Sequence, residues 1–135
     1  MTNEAVVVEL LGNEGEVIDF TVDNATGIEK GTIMQISGAS IRRATASSVE
    51  GEIFAGIAAA EKVASDGSTR LPCYTYGIFD LKKDAGTNTV GEYMKISGAN
   101  IIGKYAATDG ETGKLIGKAL EDGATSDTIQ ILVGG

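Results

Sequence analysis

The chain contains no histidine and no tryptophan, one cysteine, one proline and only 5% aromatic residues. Without histidine, a Ser-His-Asp or Cys-His catalytic arrangement is impossible, and a zinc site would have to be assembled from one thiol and carboxylates. The single cysteine, Cys73, rules out an internal disulfide framework, and its setting in Leu71-Pro72-Cys73-Tyr74 reads as an inward-facing strand position. No apolar run approaches the roughly twenty residues needed to cross a bilayer as a helix. The N-terminus also lacks the positive start and long apolar stretch of a signal peptide, so the expectation is a chain made in the cytoplasm, with no membrane partner. Positive charge is scarce as well. Eleven Lys and Arg face nineteen Asp and Glu, a net charge of -8, and apart from Arg42-Arg43 and Lys82-Lys83 the cations are scattered, so no nucleic-acid partner is expected.

What the chain has instead is glycine, nineteen in 135 residues, and a repeated phrase. Gly31-Thr32-Ile33-Met34-Gln35-Ile36-Ser37-Gly38-Ala39-Ser40-Ile41 returns as Gly91-Glu92-Tyr93-Met94-Lys95-Ile96-Ser97-Gly98-Ala99-Asn100-Ile101, with seven of eleven positions identical. The likeness extends outward. Val17-Ile18-Asp19-Phe20 resembles Ile78-Phe79-Asp80-Leu81, and Phe54-Ala55-Gly56-Ile57-Ala58 resembles Leu115-Ile116-Gly117-Lys118-Ala119. A unit of about sixty residues thus fills the chain twice, roughly 15–76 and 77–135, leaving residues 1–14 without a counterpart. Two pieces of that size are marginal alone, so the halves are expected to share one core.

Short apolar or alternating runs at Glu16 to Val22, Thr32 to Ser37, Glu52 to Ala59, Thr69 to Leu81, Glu92 to Ser97, Ile101 to Ala106, Lys114 to Leu120 and Asp127 to Val133 read as strands, mostly separated by Gly, Asp or Asn. Ser37-Gly38-Ala39-Ser40 and Ser97-Gly98-Ala99-Asn100 read as hairpin loops at the same point of each repeat. Alanines cluster at Ala44 to Val49 and Ala58 to Ala64 without a sustained apolar face, leaving room for at most one short helix or turn. The predicted fold class is all-β: a small barrel or tight β-sandwich built from two pseudo-symmetric repeats, forming a single domain over 15–135 with an N-terminal arm at 1–14.

No constellation of catalytic chemistry emerges. Asp19 and Asp80 occupy equivalent positions, and acid-base work by Asp19, Asp80 and Glu92 would require a pocket in which two acids converge. The simpler expectation is that each duplicated aspartate accepts backbone hydrogen bonds in the turn that follows it. Asp66-Gly67-Ser68, Asp109-Gly110-Glu111 and Asp122-Gly123-Ala124 lack the alternating oxygen ligands of a calcium loop and read as turns. Neither a phosphate-binding glycine pattern nor a metal or cofactor site is expected.

The segment left over is the arm. Ala5-Val6-Val7-Val8-Glu9-Leu10-Leu11 is the most continuous apolar run and has the composition of a strand, either an extra strand of its own fold or one that adds to another chain's sheet. Val6, Val7, Val8, Leu10 and Leu11 are therefore candidate partner-binding residues. Arg42 and Arg43 join them, because they replace Ile102-Gly103 of the second copy and so mark divergence within the repeat.

Lys30-Gly31-Thr32-Ile33-Met34, Ala55-Gly56-Ile57-Ala58, Leu71-Pro72-Cys73-Tyr74 leading to Gly77-Ile78-Phe79-Asp80-Leu81, and Ile116-Gly117-Lys118-Ala119-Leu120 through Ile129-Gln130-Ile131-Leu132-Val133 follow one another in an order and spacing that resembles the head decoration, or cement, proteins of tailed viruses with HK97-type capsids. The resemblance covers roughly residues 15–135 and is to the small glycine-rich β-barrel kind. It implies a structural virion protein of a bacteriophage, not an enzyme, that binds the outer surface of the capsid, often as a homotrimer, with the major capsid protein as partner and no cofactor. The marked acidity would then face a complementary patch on the shell or an apolar contact. The alternative is a carbohydrate- or receptor-binding β module on a virion or cell surface, a class that usually displays aromatic platforms this chain barely has.

Overall fold

In a computed structural model, described over residues 4–9, 16–38, 41–110 and 112–134, the chain is all-β. Ten strands follow in order: β1 (Val6–Glu9), β2 (Glu16–Thr21), β3 (Ile33–Ile36), β4 (Ala44–Ala46), β5 (Phe54–Ala58), β6 (Arg70–Lys82), β7 (Tyr93–Gly98), β8 (Ile101–Lys104), β9 (Leu115–Ala119) and β10 (Thr128–Val133). No α-helix occurs among the described residues. The alanine-rich stretch from Ala44 begins as strand, and only two single-turn 3₁₀ segments, Ala107–Asp109 and Thr112–Lys114, precede β9. Alanine's helix preference is a fraction of a kcal/mol per residue, too little to outweigh the ladder that β4 forms with β3.

All strand pairing is antiparallel, along an open path β4-β3-β5-β6-β10-β9-β7-β8, with β1 and β2 also pairing with β6. The thirteen residues of β6 serve two sets of partners. Its first half pairs with β2 and β5, its second half with β1 and β10. Gly77, with φ of 148°, stands at the changeover, a backbone conformation that side-chain-bearing residues rarely adopt.

Alternating residues point inward, but they fill two clusters rather than the single shared core expected from the size of the halves. One gathers Phe20, Val22, Ile28, Met34, Ala44, Ala55, Ala58, Leu71 and Cys73. The larger holds Phe79, Leu81, Met94, Ile96, Ile102, Ile116, Ile129, Ile131 and Val133, and it also takes Ile33 and Ile57 from the first half of the chain. Each ladder of short strands encloses its own buried face, so the core divides; Ile33 and Ile57 keep the two parts coupled.

The two expected hairpins differ. In the second copy β7 and β8 turn tightly, Gly98 paired with Ile101 and Asn100 held at φ 57°. In the first copy β4 begins only at Ala44, and Ser37 and Arg43 close a wider loop, the Ser37 N–H donating to the Arg43 carbonyl at 2.9 Å. Ala39 and Ser40 of that loop lie outside the described residues.

Candidate functional site

The arm lies against its own chain. β1 pairs with the second half of β6, Val6 opposite Asp80 and Val7 opposite Phe79, with a bulge before Glu9 meets Ile78. Ala5 packs on the larger cluster, and its N–H donates to the Gly31 carbonyl at 2.6 Å. Gly31 is what admits this contact. It sits in a turn at φ 89°, and a Cβ there would stand 2.6 Å from the Ala5 carbonyl oxygen and 2.9 Å from its nitrogen. The backbone of the arm thus occupies the space a side chain would need.

Of the two alternatives for the arm, then, the strand belongs to its own sheet, yet it is not spent there. Val6 is 59% exposed and Val7 36%. Among the described residues β1 pairs with β6 alone, the arrangement of an edge strand. Val8 lies on the same strand, while Leu10 and Leu11 fall outside the described residues.

Arg42 and Arg43 are elsewhere. Arg42 is exposed in a left-handed conformation, φ 52°, and its carbonyl accepts the Thr21 N–H at 2.7 Å; Thr21 and Arg43 form an isolated parallel bridge. This stitches the entry of β4 to the end of β2, beside β6 residue Arg70, whereas β1 sits beside Ile78 to Asp80. The structure therefore places the described candidate residues in two patches near opposite ends of β6, and it does not bring the arginines to β1. Ile41, next to Arg42, is 86% exposed and gives the second patch an apolar member that sequence reasoning overlooked.

Val17 and Ile18 were likewise missed as surface residues. Both are substantially exposed on β2, although the neighbouring Phe20 is buried. Two consecutive apolar residues in a strand point to opposite faces, and that was the available signal.

The groups with chemical potential are engaged structurally. Cys73 is fully buried, and desolvation, helped by the Asp19 carboxylate, pushes its thiol up to about 12, which makes it inert as a nucleophile at neutral pH. Asp19 and Asp80 lie inside strands, opposite Pro72 and Gln130, so the expectation that each caps a following turn does not hold. Asp84 does that work instead, accepting the Gly86 N–H at 3.0 Å and the Ser97 hydroxyl at 2.8 Å. Asp66 accepts the Ser68 N–H and Asp122 the Val90 N–H, both at 2.8 Å. Asp109 is bound by the Lys95 ammonium at 2.7 Å and the Ala106 N–H at 2.6 Å, and these two contacts hold its carboxyl below the usual aspartate value. Glu92 is lowered by the Thr89 N–H and by Lys104, the latter 2.9 Å away. No group of three or more metal-ligating side chains forms among the described residues.

Aromatic side chains are mostly enclosed. Tyr74 packs tilted against Phe79, ring centroids 5.5 Å apart, and the Tyr105 hydroxyl donates to the Gly110 carbonyl at 2.7 Å. Tyr93, with the Lys118 ammonium 5.8 Å from its ring, is the one aromatic that is largely exposed, which is little for a sugar-stacking platform.

The surface therefore offers strand edges and exposed aliphatics, the means of binding another protein. Comparison with known proteins agrees in kind. No curated protein matches the chain. A family model described as phage cement protein matches residues 12–135, nearly the whole chain. By that match the chain belongs to the phage cement proteins, structural proteins whose place is the capsid surface of the virion.

Proposed function

We propose that this protein binds the outer surface of a phage capsid and stabilises the shell, acting by contact alone, with the major capsid protein as its partner and a homotrimer as its working form. The observation that carries the reading, beyond family membership, is β1: a docked strand on which Val6 and Val7 are exposed and which, among the described residues, pairs on one side only. In this reading residues 1–14 are the attaching arm, with Val6, Val7, Val8, Leu10 and Leu11 as its candidate contacts, joined by Arg42 and Arg43, and 15–135 is the body. Binding that favours the assembled shell over free subunits shifts that equilibrium by mass action, and many copies multiply a modest contact energy.

We read the body as two pseudo-symmetric repeats, each curled toward a small barrel. Support comes from matched ladders: β2-β6-β5-β3-β4 in the first half parallels β6-β10-β9-β7-β8 in the second. Met34 opposes Gly56 and Met94 opposes Gly117, each followed by a bulge. The isolated parallel bridges Thr21 to Arg43 and Lys83 to Ile102 join the two ends of each ladder.

The test is binding to shells stripped of the protein. The native chain is expected to cosediment with them and to raise the temperature at which they dissociate. Deletion of residues 1–9, or the paired change Val6→Lys and Val7→Lys, is expected to weaken binding at least tenfold, and Arg42→Ala with Arg43→Ala to weaken it less. Undiminished binding by the deletion would sink the arm's role, and no binding by the native chain would sink the function.

A further inference from the structure

The two apolar clusters are covered differently. The larger one is roofed by the other half of the chain: Ile33 and Ile57 belong to it, Phe54 packs against it, and the Gly51 N–H donates to the Ile96 carbonyl at 3.0 Å. Under that cover Phe79 and Ile96 are completely buried. The smaller cluster draws its members from the first half, and among the described residues the second half adds nothing to it. Ile18 and Ile36 are the counterparts of Phe79 and Ile96. Ile18 opposes Cys73 as Phe79 opposes Ile131, and Ile36 holds the place of Ile96 in the repeated phrase. Each lies two residues along its strand from a member of the smaller cluster, Phe20 or Met34, and so points to the same face. Yet each is 38% exposed.

The segment bordering this uncovered end is cationic. Ile36 opposes Ala44 on β4, and the residue before Ala44, Arg43, bridges to Thr21 of β2. Thr21 also donates its N–H to the Arg42 carbonyl at 2.7 Å and its hydroxyl to the Ile41 carbonyl at 3.3 Å, so residues 41–43 lie along the end of β2. Ile41 is 86% exposed, and neither arginine forms an ion pair among the described residues. In a chain of net charge -8 this is an apolar patch with a positive rim.

We infer that this patch, Ile18, Ile36 and Ile41 with Arg42 and Arg43, receives an apolar segment of the capsid shell protein that carries carboxylates. Charge sets the occupant's chemistry, because covering the isoleucines desolvates two unpaired guanidiniums, and a partner that supplies opposite charges offsets that cost. Charge also argues against a second copy docked in the way the two halves meet. Where the first half offers Ile33 and Ile57 to the larger cluster, the second half carries Tyr93 and Lys118, and Arg42 stands in place of Ile102, so such a contact would set cation against cation. Membership of the cement family puts the shell protein within reach instead. Burial of the three isoleucines supplies affinity, and the arginine–carboxylate pairs fix orientation.

This inference rests on the capsid reading, and the test keeps the two apart. Full-length chains carrying Ile41→Asp, or Arg42→Glu with Arg43→Glu, are assayed for binding to stripped shells beside the native chain and Val63→Asp, a change at an exposed valine outside the patch. Both patch variants are expected to bind about tenfold more weakly or worse, and Val63→Asp as the native chain does. Added salt is expected to weaken the native chain more steeply than Arg42→Ala with Arg43→Ala. Undiminished binding by both patch variants, or equal weakening by Val63→Asp, overturns this inference and leaves the capsid reading standing, whereas a native chain that binds no shell removes both. The occupant is read by photo-crosslinking from benzoylphenylalanine placed at position 41 of the shell-bound chain. A crosslink to a shell-protein segment containing Asp or Glu supports the proposal. A crosslink to a second copy of this chain, or none from a chain that is bound, overturns the shell as occupant.

Discussion

At the scale of single residues, the pair Gly31 and Gly91 separates two costs that usually come mixed. Both hold positive φ, 89° and 92°, so an alanine at either pays the same backbone penalty, about 1–2 kcal/mol. Only at Gly31 does the new methyl also collide with Ala5. Gly91→Ala is therefore expected to lower stability by about 1 kcal/mol and to leave the arm in place. Gly31→Ala should cost more and free the arm, visible as loss of amide protection at Ala5 and Val7 and as new proteolytic cleavage near residue 9. Equal losses in chemical denaturation, with the arm still protected, would show that Gly31 is not its latch. Cys73 carries the opposite lesson. A lone thiol invites a reactive reading, yet here its burial had been legible in the alternation of Leu71, Cys73 and the residues between, because a strand with one wet face declares which side is dry.

At the scale of elements, the strands were readable because each is a short β-branched run bounded by turn residues, and the eight expected runs correspond to eight of the ten strands within a residue or two at each end. β4 was not readable. Ala44-Thr45-Ala46 carries little strand preference of its own, and the ladder with β3 decides its conformation. Nor could the sequence reveal what the β7–β8 turn does, since that depends on a contact 67 residues away. The Asn100 side-chain oxygen accepts the N–H of Ile33, while the Asn100 N–H donates to the Ser47 hydroxyl at 2.8 Å, so the turn of one half pins the first residue of β3 in the other. Asn100 is thus buried in the seam with its side-chain oxygen engaged. Asn100→Ala leaves the Ile33 N–H buried without that acceptor and forces alanine into φ 57°, and it is expected to cost about 2–4 kcal/mol, more than Asn100→Gly, which relieves the strain but not the lost bond. A thermal-shift series of the two variants reads the difference; indistinguishable midpoints would assign the whole effect to the lost hydrogen bond. The candidate contact surface was legible only in part for the same reason. The valines of β1 announce themselves as an unmatched apolar run, whereas the exposure of Val17 and Ile18 depends on which edge of β2 remains unpaired, a property of the assembled sheet.

At the scale of the whole molecule, the question is whether two clusters make two folding units. The boundaries suggest independence, because each ladder is nearly self-contained and only β6 is shared. Against that stand several ties across the seam. Ile33 and Ile57 belong to the cluster of the second half, the Gly51 N–H donates to the Ile96 carbonyl at 3.0 Å, and Lys95 reaches Glu50 at 3.2 Å as well as Asp109 at 2.7 Å. The surface ion pairs weigh little in that balance, but Ile33 and Ile57 are essentially fully buried, and removing a buried isoleucine typically costs about 2–5 kcal/mol. A loss of that size for each of two residues rivals the entire stability expected of a sixty-residue unit, so neither half can stand without the other. The expected behaviour is one cooperative transition for the full chain, with hydrogen exchange at Leu71 and Ile131, one residue from each cluster, reporting the same opening free energy. An isolated fragment 77–135 should show no cooperative unfolding at all. Ile57→Ala, though it lies in the first half, should lower the protection of Ile131 in the second by about as much as that of Leu71 in its own. If Ile131 keeps its native protection while Leu71 loses its own, the clusters unfold separately and the second ladder owes nothing to the first.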